Sequence, residues 1–183
     1  MNKSELRKLY LSKRKNIKNK KEKSLIINNK IKELSEYKNS NVIALYKSLP
    51  SEVDTTSLIN DTINLGKIVV LPKVEKEELK FYKINSLEDL FIKSNFGVEE
   101  PDGKETNYID KKYIDLAIVP GVCFDKEKNR VGFGKGFYDR FLVNSNFMTI
   151  GICFEEQITK EMIYANEYDV KVDKVITEEN IYK

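Results

Sequence analysis

The chain has 183 residues, of which 40% are apolar and 33% charged, and its net charge is +3. This composition is typical of one soluble globular domain around a single hydrophobic core. No residue is a histidine, which excludes histidine-based triads, histidine general bases and histidine-ligated zinc. A metal would therefore be held by carboxylates and carbonyls, as Mg²⁺ is. No apolar run approaches the roughly 20 residues that span a bilayer, and the charged N-terminal segment lacks a secretory signal pattern. We therefore expect a cytoplasmic protein.

The positive charge is concentrated at the start of the chain. Residues 1–32 contain twelve basic and two acidic side chains, so this segment carries +10 and the remainder −7. Such a segment could contact phosphates or another anionic ligand, or it could be a solvated helix face. Cys123 and Cys153 both have apolar neighbours in the sequence and are interpreted as reduced core residues.

The first 66 residues predict helices followed by a buried strand and another helix. Apolar spacing over residues 2–37 predicts two consecutive helices with a break near Asn19–Lys21. Val42–Tyr46 is a continuous apolar run that predicts a buried strand. A helix is expected from about residue 56 to 65, because Asp54 or Thr55 can cap it and Gly66 can end it.

The remaining sequence alternates short apolar runs with polar segments and short helices. A strand at Ile68–Leu71 is expected to stop at Pro72, and residues 94–112 are predicted to be a loop. The other predicted elements are strands at Leu79–Ile84, Ile114–Pro120, Thr149–Phe154 and Lys174–Thr177, a capping box at Ser86–Asp89, and helices at Gly136–Val143 and Thr159–Tyr164.

Continuous apolar strands that alternate with helices indicate a parallel sheet covered on both faces. The predicted fold class is therefore α/β, as a single three-layer α/β/α domain over residues 1–183 with a mostly parallel sheet and a helical N-terminus. Ligands of such sheets bind beyond the carboxyl ends of the strands. The loops after Tyr46, Leu71, Val119 and Phe154 are therefore candidate binding loops.

One of these loops contains three alternating glycines and two basic residues. The stretch Asn129–Arg140 reads N-R-V-G-F-G-K-G-F-Y-D-R and follows the strand that ends at Pro120. Glycine lets backbone N–H groups approach an anion closely, and Arg130 and Lys135 add positive charge suited to phosphate. It is not a Walker A loop, because Gly136 stands where that motif requires Ser or Thr. Taken alone, it could also be a tight turn with a solvated lysine.

The longer string P-G-x-x-F-D-x-x-x-x-R-x-G-x-G-K-G-x-Y-D resembles the C-terminal signature of 5-formyltetrahydrofolate cyclo-ligases, also called 5,10-methenyltetrahydrofolate synthetases. The similarity extends over nearly the whole chain. Further matching segments are Lys3–Arg7 (K-x-x-L-R), Leu45–Lys47 with Glu52–Thr55 (E-V-D-T), Val70–Lys73, Phe96–Pro101 and Tyr168–Glu178. The chain departs from the family pattern at Phe133 and Phe137, which are therefore given only backbone or stacking roles, and at Tyr168, where the family often has histidine.

The resemblance implies that ATP and Mg²⁺ drive ring closure of 5-formyltetrahydrofolate to 5,10-methenyltetrahydrofolate through a phosphorylated formyl group. It implies catalytic roles for Arg130, Lys135 and Tyr138, and metal binding by Asp139 and Asp169. The implied ATP-binding residues are Lys3, Ser4, Glu5, Leu6, Arg7, Arg130, Val131, Gly132, Phe133, Gly134, Lys135, Gly136, Phe137 and Tyr138. The implied folate-binding residues are Lys47, Glu52, Lys135, Gly136, Phe137 and Tyr138.

Three other functions fit parts of the sequence. The basic N-terminal segment would suit a non-catalytic nucleotide- or RNA-binding module, although no RNA-binding motif is present and no nucleic-acid partner is expected. A glycine loop on a parallel sheet would also suit a sugar-phosphate enzyme. The departures at Phe133 and Tyr168 would suit a folate-binding sensor without turnover. We expect a monomer with no membrane partner.

Overall fold

The computed structural model describes residues 1–92 and 97–183, so Phe96 of the sequence motif lies outside the described residues. The helices are α1 (Lys3–Lys15), α2 (Lys20–Glu33), α3 (Ser35–Asn39), α4 (Thr56–Asn64) and α5 (Phe137–Leu142). The strands are β1 (Val42–Ala44), β2 (Ile68–Glu75), β3 (Glu78–Ile84), β4 (Leu90–Ile92), β5 (Glu99–Pro101), β6 (Tyr108–Ile109), β7 (Leu116–Pro120), β8 (Cys123–Asp125), β9 (Arg130–Val131), β10 (Met148–Ile152), β11 (Ile158–Thr159), β12 (Lys174–Ile176) and β13 (Ile181–Tyr182).

The central sheet has eight strands in the order β13-β12-β10-β7-β1-β2-β3-β6. The five middle strands, from β12 to β2, are parallel, and the strands at the two edges are antiparallel. A three-stranded sheet, β11-β8-β9, and a two-stranded sheet, β4-β5, complete the described strands. The predicted α/β class and mostly parallel sheet are confirmed.

Successive residues of the middle strands enter two different cores because side chains alternate across a strand. Ile43 packs with α2, α3 and α4 on one face, whereas Ala44 packs with α5 on the other. Leu116 and Ala117 of β7 divide in the same way. The strands therefore read as continuous apolar runs, as expected for a sheet that is covered on both faces.

Helix α1 packs at the end of the sheet rather than on either face. Its apolar residues Leu6 and Tyr10 form a third core with Val122 and Cys123 of the segment around β8 and with Ile163. Its N-terminus has a capping box, in which Asn2 and Glu5 satisfy each other's backbone N–H groups. The helix therefore begins at Lys3, and its basic residues lie beside the loops that follow the strands.

Several predicted boundaries are wrong. The strand expected to stop at Pro72 continues to Glu75. Strand β1 pairs with β2 only as far as Val70, so Pro72 faces no strand on the β1 side and its missing N–H donor breaks no hydrogen bond there. The segment predicted as a loop contains β5, β6 and two 3-10 turns. The helix predicted at Thr159–Tyr164 is absent from this described segment.

Candidate functional site

The candidate site lies where the order of the parallel strands reverses. Strand β1 is followed through α4 by β2 on one side, and β7 pairs with its other side. At such a switch point the loops after the two neighbouring strands diverge and leave a crevice at their carboxyl ends. Here these are the loop after β1, residues 45–55, and the segment after β7 that leads through β8 and β9 to the glycine loop, residues 132–136.

The hairpin of β8 and β9 is fixed to the sheet by a buried aromatic ring. A Cβ atom at Gly121 or at Gly151 would lie 2.5 Å from the ring of Phe124, so each glycine leaves room for that ring. The carboxylate of Asp125 accepts hydrogen bonds from the backbone and side-chain N–H groups of Asn129 and from the backbone of Ile163. This use of the Ile163 N–H explains why no helix forms there.

The glycine loop is held in place by helix α1. Gly134 and Gly136 have φ values of +93° and +67°, a region that side chains other than glycine disfavour. The Nε atom of Arg7 donates a hydrogen bond to the carbonyl oxygen of Gly132 at 2.7 Å. Lys135 at the tip of this loop is exposed, so its ammonium group is accessible to a ligand.

One ion pair joins β9 to α5, and another joins α1 to the segment before β12. Nη2 of Arg130 donates to Oδ1 of Asp139 at 2.8 Å, and the same oxygen accepts the backbone N–H of Val170 at 3.4 Å. Lys3 donates to Oδ2 of the neighbouring Asp169. Asp139 thus contacts the backbone of the residue that follows Asp169, and each of the two predicted metal-binding carboxylates is paired with a cation. No group of three potential metal ligands occurs among residues 1–92 and 97–183.

Glu52 is a buried carboxylate on the opposite side of this crevice, in the loop after β1. Its Oε2 accepts the backbone N–H of Leu49 at 2.8 Å, and its Oε1 lies 3.4 Å from Nη1 of Arg14. Burial raises the pKa of Glu52, and the Leu49 N–H and the Arg14 charge oppose that rise. Burial and the Glu52 charge together raise the pKa values of Tyr46 and Tyr138.

The structure joins several of the predicted residues in pairs: Lys3 with Asp169, Arg7 with Gly132, and Arg130 with both Asp139 and Tyr138. Glu52 pairs with Arg14 instead. Three other predicted ATP-binding residues stabilise the fold. Leu6 and Val131 are buried in the core around α1, and Glu5 belongs to the α1 cap. Ser4 is exposed. Lys47 donates to Oγ1 of Thr56 at the start of α4, at 2.9 Å.

Sequence reasoning missed Arg14. Its guanidinium is buried between Glu52 and Phe133, with its Cζ atom 5.3 Å from the centre of the Phe133 ring. Leu6, Tyr10 and Arg14 follow one helical stripe, so a signal was present: a charged residue on the apolar face of α1.

Two surface depressions of about 450 and 390 Å³ lie elsewhere. The first is bordered by α2 and Ile181, and the second by Asp110 and Asn144. Their linings include none of the glycine-loop residues, so the candidate site is defined by converging side chains and not by cavity size.

Polar groups gathered at the switch point of a largely parallel sheet define an α/β enzyme that acts on a small molecule. The sequence model of the 5-formyltetrahydrofolate cyclo-ligase family matches residues 1–178, and the chain belongs to this family of ligases.

Individual relatives agree with this assignment. The chain is 30% identical over 175 residues to the probable 5-formyltetrahydrofolate cyclo-ligase of Schizosaccharomyces pombe, with 87% of this chain and 86% of the relative covered. It is 30% identical over 169 residues to the mouse 5-formyltetrahydrofolate cyclo-ligase, covering 86% and 83%. The solved structure of Aquifex aeolicus 5,10-methenyltetrahydrofolate synthetase superposes with a TM-score of 0.86 at 36% identity, covering 100% of this chain and 93% of that one.

Proposed function

We propose that this protein converts 5-formyltetrahydrofolate and ATP into 5,10-methenyltetrahydrofolate, ADP and phosphate, with Mg²⁺. The observation that supports this best is the convergence of a cationic glycine loop and a buried carboxylate, Glu52, at one switch point of the sheet. One group is suited to a polyphosphate, and the other to the N–H donors of a pterin ring. The family membership supplies the reaction that uses both.

The reaction must activate an amide-like formyl group. Transfer of the γ-phosphoryl group of ATP to the formyl oxygen forms an O–P bond, breaks the bond to ADP and leaves an electrophilic carbon. The N10 nitrogen of the folate then attacks that carbon, the C–O bond breaks with departure of phosphate, and N10 loses its proton. Such a sequence depends mainly on positioning and on neutralising charge. A site without histidine can provide both.

On the nucleotide side, the proposed ligands come from α1 and the glycine loop. Lys3 and Arg7 lie four residues apart on one face of α1, and Arg7 already contacts the loop through Gly132. Arg130 and Lys135 supply positive charge for the phosphates, and the backbone of residues 132–136 lies beside them. Removal of either of these two charges is expected to weaken stabilisation of the transferred phosphoryl group.

On the folate side, we propose that Glu52 binds the amino and ring N–H groups of the pterin. We assign Tyr138 a position between the two ligands, since the Arg130 guanidinium is 5.7 Å from its ring centre, and burial and the Glu52 charge raise its pKa. Its raised pKa keeps the phenol protonated, so it can donate a hydrogen bond to a developing negative charge. Lys47 is assigned to the edge of this pocket.

Mg²⁺ would be held by Asp139 and Asp169, where it would neutralise charge on the phosphates. These two carboxylates fit the ion, because Mg²⁺ in phosphate sites takes one or two carboxylates and completes its shell with phosphate oxygens and water. The chemistry of the donors agrees as well, since both groups are hard oxygen ligands. Arg130 and Lys3 hold the two carboxylates in place from either side.

The test is an absorbance assay with purified protein, 5-formyltetrahydrofolate, ATP and Mg²⁺. We expect growth of the near-ultraviolet band of the methenyl product only when ATP and Mg²⁺ are both present. Lys135→Ala and Asp139→Ala should lose this signal, whereas Lys83→Ala, which removes an exposed lysine on β3, should keep it. Folded protein that binds ATP but forms no product would contradict the proposal and favour a folate sensor or a sugar-phosphate enzyme.

The remaining sequence predictions belong to this proposal. Residues 1–183 are proposed to act as one cyclo-ligase domain and as a monomer in the cytoplasm, with small molecules as its partners. Within the described residues, no helix is both long and apolar enough to cross a membrane. Light scattering of the purified protein with and without ATP would check the monomer, since a dimer would double the measured mass.

A further inference from the structure

Arg14 is a buried cation that has no part in the proposed chemistry so far. The residue is only 2% exposed and lies on the apolar stripe of α1. Removing a charged group from water costs several kcal/mol unless its partners compensate, and a buried ion pair often adds little to stability. A role in folding alone therefore accounts poorly for an arginine at this position.

Its contacts join the two halves of the site. Nη1 of Arg14 faces Oε1 of Glu52 at 3.4 Å, and the guanidinium plane lies over the ring of Phe133 in the glycine loop. Its Nε atom is buried and has no hydrogen-bond partner within the described residues. One side chain of α1 thus touches both the pterin-facing carboxylate and the nucleotide-facing loop.

The charge of Arg14 matters because Glu52 has few other compensating groups. Arg14 from α1 acts on Glu52, and Glu52 in turn acts on Tyr46 after β1 and on Tyr138 of α5. Of these three, only Arg14 is positively charged at neutral pH. The backbone N–H of Leu49 stabilises the other carboxylate oxygen. Burial disfavours the ionised form of Glu52. Without Arg14, the hydrogen bond from Leu49 alone would counteract this effect.

We propose that Arg14 is a positioning residue that keeps Glu52 ionised and correctly placed for the pterin and ties this carboxylate to the glycine loop through Phe133. The inference rests on the proposed function, because it assigns Glu52 to folate binding. It assigns Arg14 no direct contact with the reacting atoms. Its loss is therefore expected to affect folate affinity much more than turnover at saturation.

The test compares wild type with Arg14→Gln and Arg14→Lys at pH 6, 7 and 8. For Arg14→Gln we expect a higher KM for 5-formyltetrahydrofolate than wild type has at the same pH. The ratio of the two KM values should fall by up to about tenfold per unit of rising pH, as Glu52 ionises. The kcat at saturation and pH 8 should stay within about threefold of wild type. Arg14→Lys keeps the charge and should abolish most of the pH dependence.

Two further variants separate this effect from damage to the fold. Glu52→Gln cannot ionise, so the double variant Arg14→Gln/Glu52→Gln should show a KM without pH dependence. Lys13→Gln removes the adjacent cation of α1, which lies over the ring of Tyr10 and not near Glu52, and should behave as wild type. A destabilised fold would instead lower the active fraction at every pH.

The outcomes are distinct. An active wild type with an Arg14→Gln variant whose KM stays within about twofold of wild type at every pH overturns the inference alone. A raised KM that is equal at all three pH values also overturns it, because the loss would then be purely steric. A folded wild type that binds no 5-formyltetrahydrofolate in calorimetry overturns the proposed function, and this inference with it.

Discussion

Replacement of Gly134 by alanine tests whether α1 and the glycine loop form one nucleotide-binding unit. At φ +93°, a residue with a Cβ atom is strained, at a cost of about 1–2 kcal/mol. The new Cβ would also lie 3.2 Å from Cζ of Arg7, the residue that donates to the Gly132 carbonyl. The variant must therefore shift either the loop or the arginine.

The expected magnitude follows from the hydrogen bond that would be lost. A hydrogen bond from Arg7 to an ATP phosphate would contribute about 1.5–3 kcal/mol, as hydrogen bonds to charged groups do, so displacement of Arg7 is expected to raise the KM for ATP by roughly tenfold or more. Backbone strain alone should lower the melting temperature by about 2–8 °C in a chain of this size. The measurements are ATP-dependent formation of the methenyl product and thermal unfolding.

Gly66 provides a matched control. Its φ is +75°, and a Cβ there would meet no atom within 4 Å. Gly66→Ala should therefore lose comparable stability, with its KM for ATP unchanged. If Gly134→Ala also loses stability but keeps its KM for ATP within about twofold of wild type, then Arg7 does not help to bind the nucleotide and the reasoning is wrong.

Three further predictions concern stability and accessibility. Gly151→Ala should destabilise the fold by about 1–3 kcal/mol by overpacking, because its Cβ would lie 2.5 Å from the Phe124 ring; adding Phe124→Leu should recover part of the loss in urea unfolding. The hydrogen bond from Lys174 lowers the pKa of Glu36 below its ordinary value of 4.5, so its contribution is present above that pH and lost as the pH falls through the lowered pKa. Glu36→Gln should accordingly be less stable than wild type at pH 7, and the difference should shrink as the pH falls below 4.5 and through the lowered pKa. Cys123 is buried and burial raises its pKa to about 12, so a thiol reagent at pH 8 should label it only after unfolding; rapid labelling of native protein would contradict its placement.

The sequence predicted the parallel core because the strands in it are buried on both faces. The apolar run Ile68–Leu71 covers the first half of β2, and Ile114–Pro120 contains all of β7. The cysteines predicted to be in the core are both buried and free. The short strands β8, β9, β11 and β13 were missed. Their two or three residues have too little periodicity to reveal a strand, and their pairing depends on distant partners such as Ile158 with Phe124.

The site was predicted from a motif, which identifies residue types but not their partners. The alternating glycines indicated the loop, and its contact with Arg7 agrees with the matching Lys3–Arg7 segment. The pairing of Asp139 with Arg130 and the burial of Glu52 could not be predicted, because both depend on how separate loops approach one another in space. Arg14 could have been noticed, since it interrupts an apolar stripe, but its partner lies 38 residues away.

The docking of α1 onto the glycine loop also has a consequence for folding. Arg7 meets Gly132 across 125 residues, and Lys3 meets Asp169 across 166. Contacts of such long range form late, because the entropy of closing the intervening chain is lost before they contribute. A ribosome-bound chain that has not yet extended past residue 169 cannot form both of these contacts. A fragment that omits residues 3–15 can form neither of them. Ligand affinity should therefore report completion of the whole fold, and ATP should protect against proteolysis only after the helix nearest the N-terminus has docked.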